Sequence, residues 1–87
     1  MDTKFDELLE FPTNQTFKIM GVADDALPEQ VISRLQQIVP GDYTPTIKPS
    51  SKGTYNSLSI CVHVSSKEQM ETIYTELSKL ELVKVVL

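Results

Sequence analysis

Thiols, arginine, long apolar runs and surplus positive charge are what this chain of 87 residues has least of. Its single cysteine, Cys61, rules out an internal disulfide and leaves no thiol pair for a soft metal. A lone reduced thiol fits a cytosolic protein. Its single arginine, Arg34, falls mid-helix and makes no cradle for a phosphate, so acylphosphatase-like chemistry lacks its key group; the residue reads as a solvated surface charge. No window approaches the run of about 18 apolar residues that a membrane span needs. The opening residues, Met1-Asp2-Thr3-Lys4-Phe5-Asp6-Glu7, are too acidic and polar for a signal peptide. A net charge of −4 gives neither the basic footprint of a nucleic-acid binder nor attraction to an anionic membrane. No period repeats, and no low-complexity stretch or long linker divides the chain. What is left, 40% apolar and 23% charged, is the composition of one small globular domain over residues 1–87. A domain of this size buries roughly 60–65% of its unfolded surface and has little room for a deep active site.

What is present is a succession of short periodic segments. Phe5, Leu8 and Leu9 share one face of a short helix over residues 4–10, which Pro12 ends. Residues 15–20 alternate as a strand, with Phe17 and Ile19 inward, Thr16, Lys18 and Met20 outward, and Gly21 at its exit. Asp24 or Asp25 caps a helix over 26–39, Pro28 sits in its first turn, and Leu27, Val31, Leu35 and Ile38 form its stripe. Pro40-Gly41 stops it. Strands at about 42–49 and 55–64 are joined by a turn at Ser50-Ser51-Lys52-Gly53. The second alternates Leu58, Ile60, Val62 and Val64 with Ser57, Ser59, Cys61 and His63. Ser66 with Gln69, or Ser65 with Glu68, opens a helix whose stripe is Met70, Ile73, Tyr74, Leu77 and Leu80. Leu82–Leu87 is a final strand, with Val83 and Val85 inward.

The order strand, helix, strand, strand, helix, strand predicts an α+β, ferredoxin-like sandwich: a four-stranded antiparallel sheet with two helices on one face, plus a short N-terminal helical extension. In the usual order 4-1-3-2 the second strand is an edge. Pro45 and Pro49 remove N–H groups from one side of it only, and that side must be the outer one.

The residues Glu7-Leu8-Leu9-Glu10-Phe11-Pro12, Lys18-Ile19-Met20-Gly21 and Pro40-Gly41-Asp42-Tyr43-Thr44-Pro45-Thr46, with Lys48-Pro49-Ser50-Ser51-Lys52-Gly53, carry a resemblance. The chain resembles the YbeD-like family of small bacterial proteins over essentially its whole length. The resemblance implies a fold similar to the small-molecule-binding regulatory (ACT-type) domains of amino-acid enzymes, and a bacterial cytoplasmic setting. It carries over no catalytic or binding residue.

The fold alone settles no function, so each known use is checked against the residues it needs. An RNA-recognition sheet needs stacking aromatics, but Ser57, Ser59, Cys61 and His63 face outward on the third strand. Cys61 and His63 stand two apart on that strand, about 6–7 Å between side chains, beyond hydrogen-bond reach, and no third group orients them. The sequence therefore predicts no catalytic residue, no metal ligand, no cofactor and no enzyme. The open face does show a bias: Lys18, Lys48 and Lys84 project there beside Thr16, Thr44, Thr46, Ser57 and Ser59, with no acid at its centre. The hairpin tip adds Ser50, Ser51 and Lys52, small hydroxyls and a cation able to meet an anion. A solvated sheet face and a plain turn that needs Gly53 at positive φ account for the same residues. The acids gather on the helices instead: Asp24, Asp25 and Glu29 near one start, Glu68, Glu71 and Glu76 on the other. The expected function is a non-enzymatic binding or regulatory domain for a small anionic metabolite or a protein partner, with Lys18, Lys48, Lys52, Lys84, Ser50 and Ser51 as binding residues. The alternative is an accessory or assembly factor acting only through protein contacts. A monomer is expected over a homodimer, and neither nucleic acid nor membrane as partner.

Overall fold

A computed structural model describes residues 10–87, in which β1 (Thr13–Val22), α1 (Ala26–Ile38), β2 (Thr46–Pro49), β3 (Tyr55–Val64), α2 (Lys67–Ser78) and β4 (Val83–Val86) follow in turn. The strands form one antiparallel sheet in the order β2-β3-β1-β4. This is the expected ferredoxin-like arrangement with β2 at an edge. The helix expected over residues 4–10 falls almost wholly outside the described residues.

One face of the sheet is covered. Phe17 and Ile19 of β1 and Leu58, Ile60, Val62 and Val64 of β3 are buried against Leu27, Val31 and Leu35 of α1 and Met70, Ile73 and Leu77 of α2. The strand period of two and the helix period of 3.6 converge on this single core. Tyr74 meets Phe17 edge to face, with ring centroids 5.0 Å apart. The helix starts are closed locally. Asp24, not Asp25, takes the Ala26 N–H on its carboxylate at 2.8 Å. Ser66 accepts the Gln69 N–H at 3.0 Å, and the Gln69 side chain returns to the Ser65 N–H at 2.8 Å.

Several boundaries differ from the sequence reading. The second strand is shorter, beginning at Thr46 rather than near residue 42. The segment before it is tied to the end of α1 instead: the Tyr43 hydroxyl donates to the Val39 carbonyl at 2.6 Å, and Gln36 donates to the Gly41 carbonyl at 3.0 Å. Burial raises the pKa of Tyr43, which keeps the phenol protonated as that donor. Gly21 is not a strand exit but a buried residue inside β1. A Cβ there would collide with the Leu82 carbonyl oxygen and stand 2.7 Å from the Leu27 Cδ1. Glycine is needed for that close approach, not for a turn.

Val85 is the clear correction. It was expected inward and is exposed. Gly21 pairs with Val83 but Met20 pairs with Val85, so β4 carries one extra residue, Lys84, as a bulge. The slip inverts the faces beyond it: Val83 and Val86 pack on the core, while Lys84 and Val85 are exposed. Arg34 also departs from its reading as a solvated charge. It donates to Glu76 at 2.8 Å and so ties α1 to α2.

Candidate functional site: a hollow on the open sheet face

The register sets side chains of β1, β3 and β2 in rows across the open face. One row is Lys18, Ser59 and Thr46; the next is Met20, Ser57 and Lys48. The middle strand contributes only serines, which form a low floor. Longer side chains rise from both flanking strands and make walls. The hairpin tip, Pro49-Ser50-Ser51, closes one end, and the result is a hollow of about 460 Å³. The flanking strands lie about 10 Å apart, twice the interstrand spacing. The four-carbon stems of lysines on both walls are long enough to reach a carboxylate or phosphate held between them.

The electrostatics are one-sided. Lys18 and Lys48 both line the hollow, and no acid lines it. Across the whole open face, the outward residues of the strands among the described residues include no Asp or Glu. Two of the acids are engaged elsewhere. Asp24 caps α1, and Glu76 accepts from Arg34 and from Lys79, the latter at 3.2 Å. Those hydrogen bonds, Lys79's foremost and then Arg34's, hold the Glu76 carboxyl below its ordinary value of 4.5.

Of the residues singled out in the sequence, Lys18, Lys48, Ser50 and Ser51 line the hollow, together with Thr46, Ser57 and Ser59. Lys52 sits exposed in the turn and Lys84 in the bulge; neither lines the hollow. The turn is held by the Gly53 N–H on the Ser50 carbonyl at 3.0 Å, with Gly53 at φ 72°. The Ser50 hydroxyl accepts the Tyr55 N–H at 3.2 Å, so its oxygen serves the turn while its O–H stays available as a donor. Met20 and Pro49 complete the walls. Neither is among the binding residues expected from the sequence. Met20 had been placed outward, but only the register shows it opposite Lys48 across a serine.

His63 engages Asn14 across the strands, Nδ1 to Oδ1 at 3.0 Å, rather than Cys61 along its own. Cys61 is exposed and pairs with Thr16. Neither lines the hollow, whose hydroxyls and ammoniums suit holding an anion more than moving a proton. Among the described residues, no three His, Cys, Asp or Glu side chains group as metal ligands. A second concavity, of about 360 Å³, lies along α1. It is lined by Glu29 and by Arg34, whose charge Glu76 already meets, so it offers an anion little.

Residues 6–87 match the family described as "Protein of unknown function (DUF493)". The chain belongs to this family. A UPF0250 protein of Shewanella sediminis is 58% identical over 87 residues, covering 100% of this chain and 99% of that protein. The UPF0250 protein YbeD of Escherichia coli is 54% identical over 87 residues, covering both chains completely. Among solved structures, protein HP0495 from H. pylori superposes with a TM-score of 0.71 at 16% identity, covering 91% of this chain and 85% of the other. The ACT domain from GTP pyrophosphokinase of Chlorobium tepidum superposes with a TM-score of 0.63 at 17% identity, covering 85% and 94%. At those identities the two structures speak for the fold alone, which is ACT-like. Among the described residues, no helix is long and apolar enough to cross a membrane.

Proposed function

We propose that this protein is a non-enzymatic regulatory domain of the cytoplasm that takes a small anionic metabolite in the hollow of the open face. The observation that carries the reading is the pair of rows Lys18–Ser59–Thr46 and Met20–Ser57–Lys48, which set one ammonium on each side of a serine floor with no acid nearby. The ACT-like fold supports it, since domains of that type bind small molecules to control larger enzymes. The protein acts as a monomer in this reading, because Pro45 and Pro49 blunt the β2 edge through which such domains pair side by side.

The test is titration of the full chain with a panel of amino acids, di- and tricarboxylates and phosphate esters, followed by amide shifts. At least one compound saturates, with shifts at Lys18, Lys48, Ser57 and Ser59. Lys18→Ala and Lys48→Ala each weaken it by about tenfold, the loss of one charge-assisted contact. Silence across the panel, or binding indifferent to both substitutions, would refute the reading.

A further inference from the structure

Beside the hollow, the open face carries an apolar strip. Val85 stands opposite Met20, and Val22 opposite Tyr55. Tyr55 is diagonal to Met20 across β1 and β3, within reach for an aromatic side chain. Leu87 exchanges two main-chain bonds with Lys18, of 2.9 and 2.7 Å, and extends the strip. Met20, Tyr55, Val85 and Leu87 are 41%, 41%, 44% and 67% exposed. Among the described residues only Ile47, on the β2 edge, is another large apolar side chain this exposed. The concentration on one face is not an accident of alternation. The bulge at Lys84 is what turns Val85 outward; a regular strand would have sent it into the core. Lys18, Lys48 and Lys84 flank the strip, and no ion pair engages any of the three among the described residues.

We propose that this face is a docking surface for an acidic segment of another protein. An apolar side chain of the partner sits on Met20, Tyr55 and Val85, and its carboxylates meet Lys18, Lys48 and Lys84. Charge decides the occupant. A second copy packed face to face would set each lysine cluster against its own symmetry mate, and a basic partner would meet the same repulsion. An acidic partner gains attraction without displacing any internal ion pair, and the apolar strip supplies the desolvated centre that such interfaces use. The proposal does not rest on a metabolite in the hollow. The surface shares Met20, Lys18 and Lys48 with the hollow, but Tyr55, Val85 and Lys84 lie outside it and belong to the docking surface alone.

The full chain, isotope-labelled, is titrated with a synthetic peptide of glutamates interspersed with leucines. Counterparts carry lysine for glutamate, or serine for leucine. The glutamate–leucine peptide shifts the amides of Met20, Tyr55 and Val85, and its affinity falls as salt rises from about 50 to about 300 mM. Val85→Ser and Tyr55→Ser, both outside the hollow, each weaken it by at least about tenfold while the melting temperature and any metabolite binding persist. In cells of the native organism, p-benzoylphenylalanine in place of Met20 crosslinks to a protein segment rich in Asp and Glu. An unshifted face, equal binding of the lysine peptide, shifts that grow with protein concentration alone, or crosslinks only to lipid, nucleic acid or a second copy would each overturn the proposal.

Discussion

Along β3, Leu58, Ile60, Val62 and Val64 are buried under the helices, while Ser57, Ser59, Cys61 and His63 alternate with them on the open side. The same main-chain ladder serves both sets, yet the two faces answer to different constraints. On the covered face each side chain must fill a fixed volume, so the choice among Leu, Ile and Val is made by packing. On the open face packing dictates almost nothing. A serine floor between lysine-bearing walls, with 12 acids in the chain and none on that face among the described residues, is therefore not required by folding. The contrast makes the open face the place to look for function.

Substitution should separate the faces sharply. Ile60→Ala or Leu77→Ala leaves a cavity in the core and costs on the order of 2–5 kcal/mol in chemical denaturation. Ser59→Ala, one residue away on the other face, stays within about 0.5 kcal/mol of the parent. Equal losses at Ile60 and Ser59 would break the distinction. Gly21→Ala comes next, at about 1–3 kcal/mol, because its methyl group meets the Leu82 carbonyl and the Leu27 side chain. A neutral Gly21→Ala would mean that β4 approaches β1 less closely than described.

Smaller effects sharpen the picture. Ser66→Ala removes the cap of α2 and costs about 1 kcal/mol. Glu76 adds a pH dependence of known sign. Its folded carboxyl is held below the ordinary 4.5, so its contribution is fully present above that value. The contribution is lost as pH falls through the depressed folded value. The stability profile of Glu76→Gln should therefore be flatter than the parent's below about pH 4.5, and a parallel profile would show that the Arg34 and Lys79 contacts do not persist in solution. At the β2 edge, the Ser50 N–H turns inward to the Tyr55 carbonyl. Alternation then points the Ile47 N–H outward together with the nitrogen of Pro49, which carries no hydrogen. Amide exchange at Ile47 should be fast and independent of protein concentration. Slowing on concentration would reveal a ladder between two copies.

The covered face was readable from the residues because burial writes a period into the sequence. Phe17, Ile19 and Leu58 through Val64 announce β1 and β3, and the Leu27/Val31/Leu35 and Met70/Ile73/Leu77 stripes announce the helices. Val85 departs from the sequence reading because a bulge leaves no periodic trace: Val83-Lys84-Val85-Val86 alternates as a regular strand with Val83 and Val85 inward and Lys84 outward. Gly21 was misread for a related reason, since its role depends on where Leu82 passes, which no local pattern records. The lysines of the open face were visible one by one. Their sharing one face follows from alternation, but the hollow does not, because Lys18, Ser59 and Thr46 become a row only once the β1–β3 and β3–β2 registers are fixed. Lys52 and Lys84 show the converse, as suitable residue types that the turn and the bulge set outside the hollow.

One face folds the protein, and we propose that the other binds. The measurement that tests it most directly reads stability and binding on one variant, Lys18→Ala/Lys48→Ala, by thermal melting and by titration with whichever anion saturates the parent. The melting temperature should be unchanged and the binding isotherm lost. A variant that binds as the parent does, or one that loses its fold together with its binding, would contradict it.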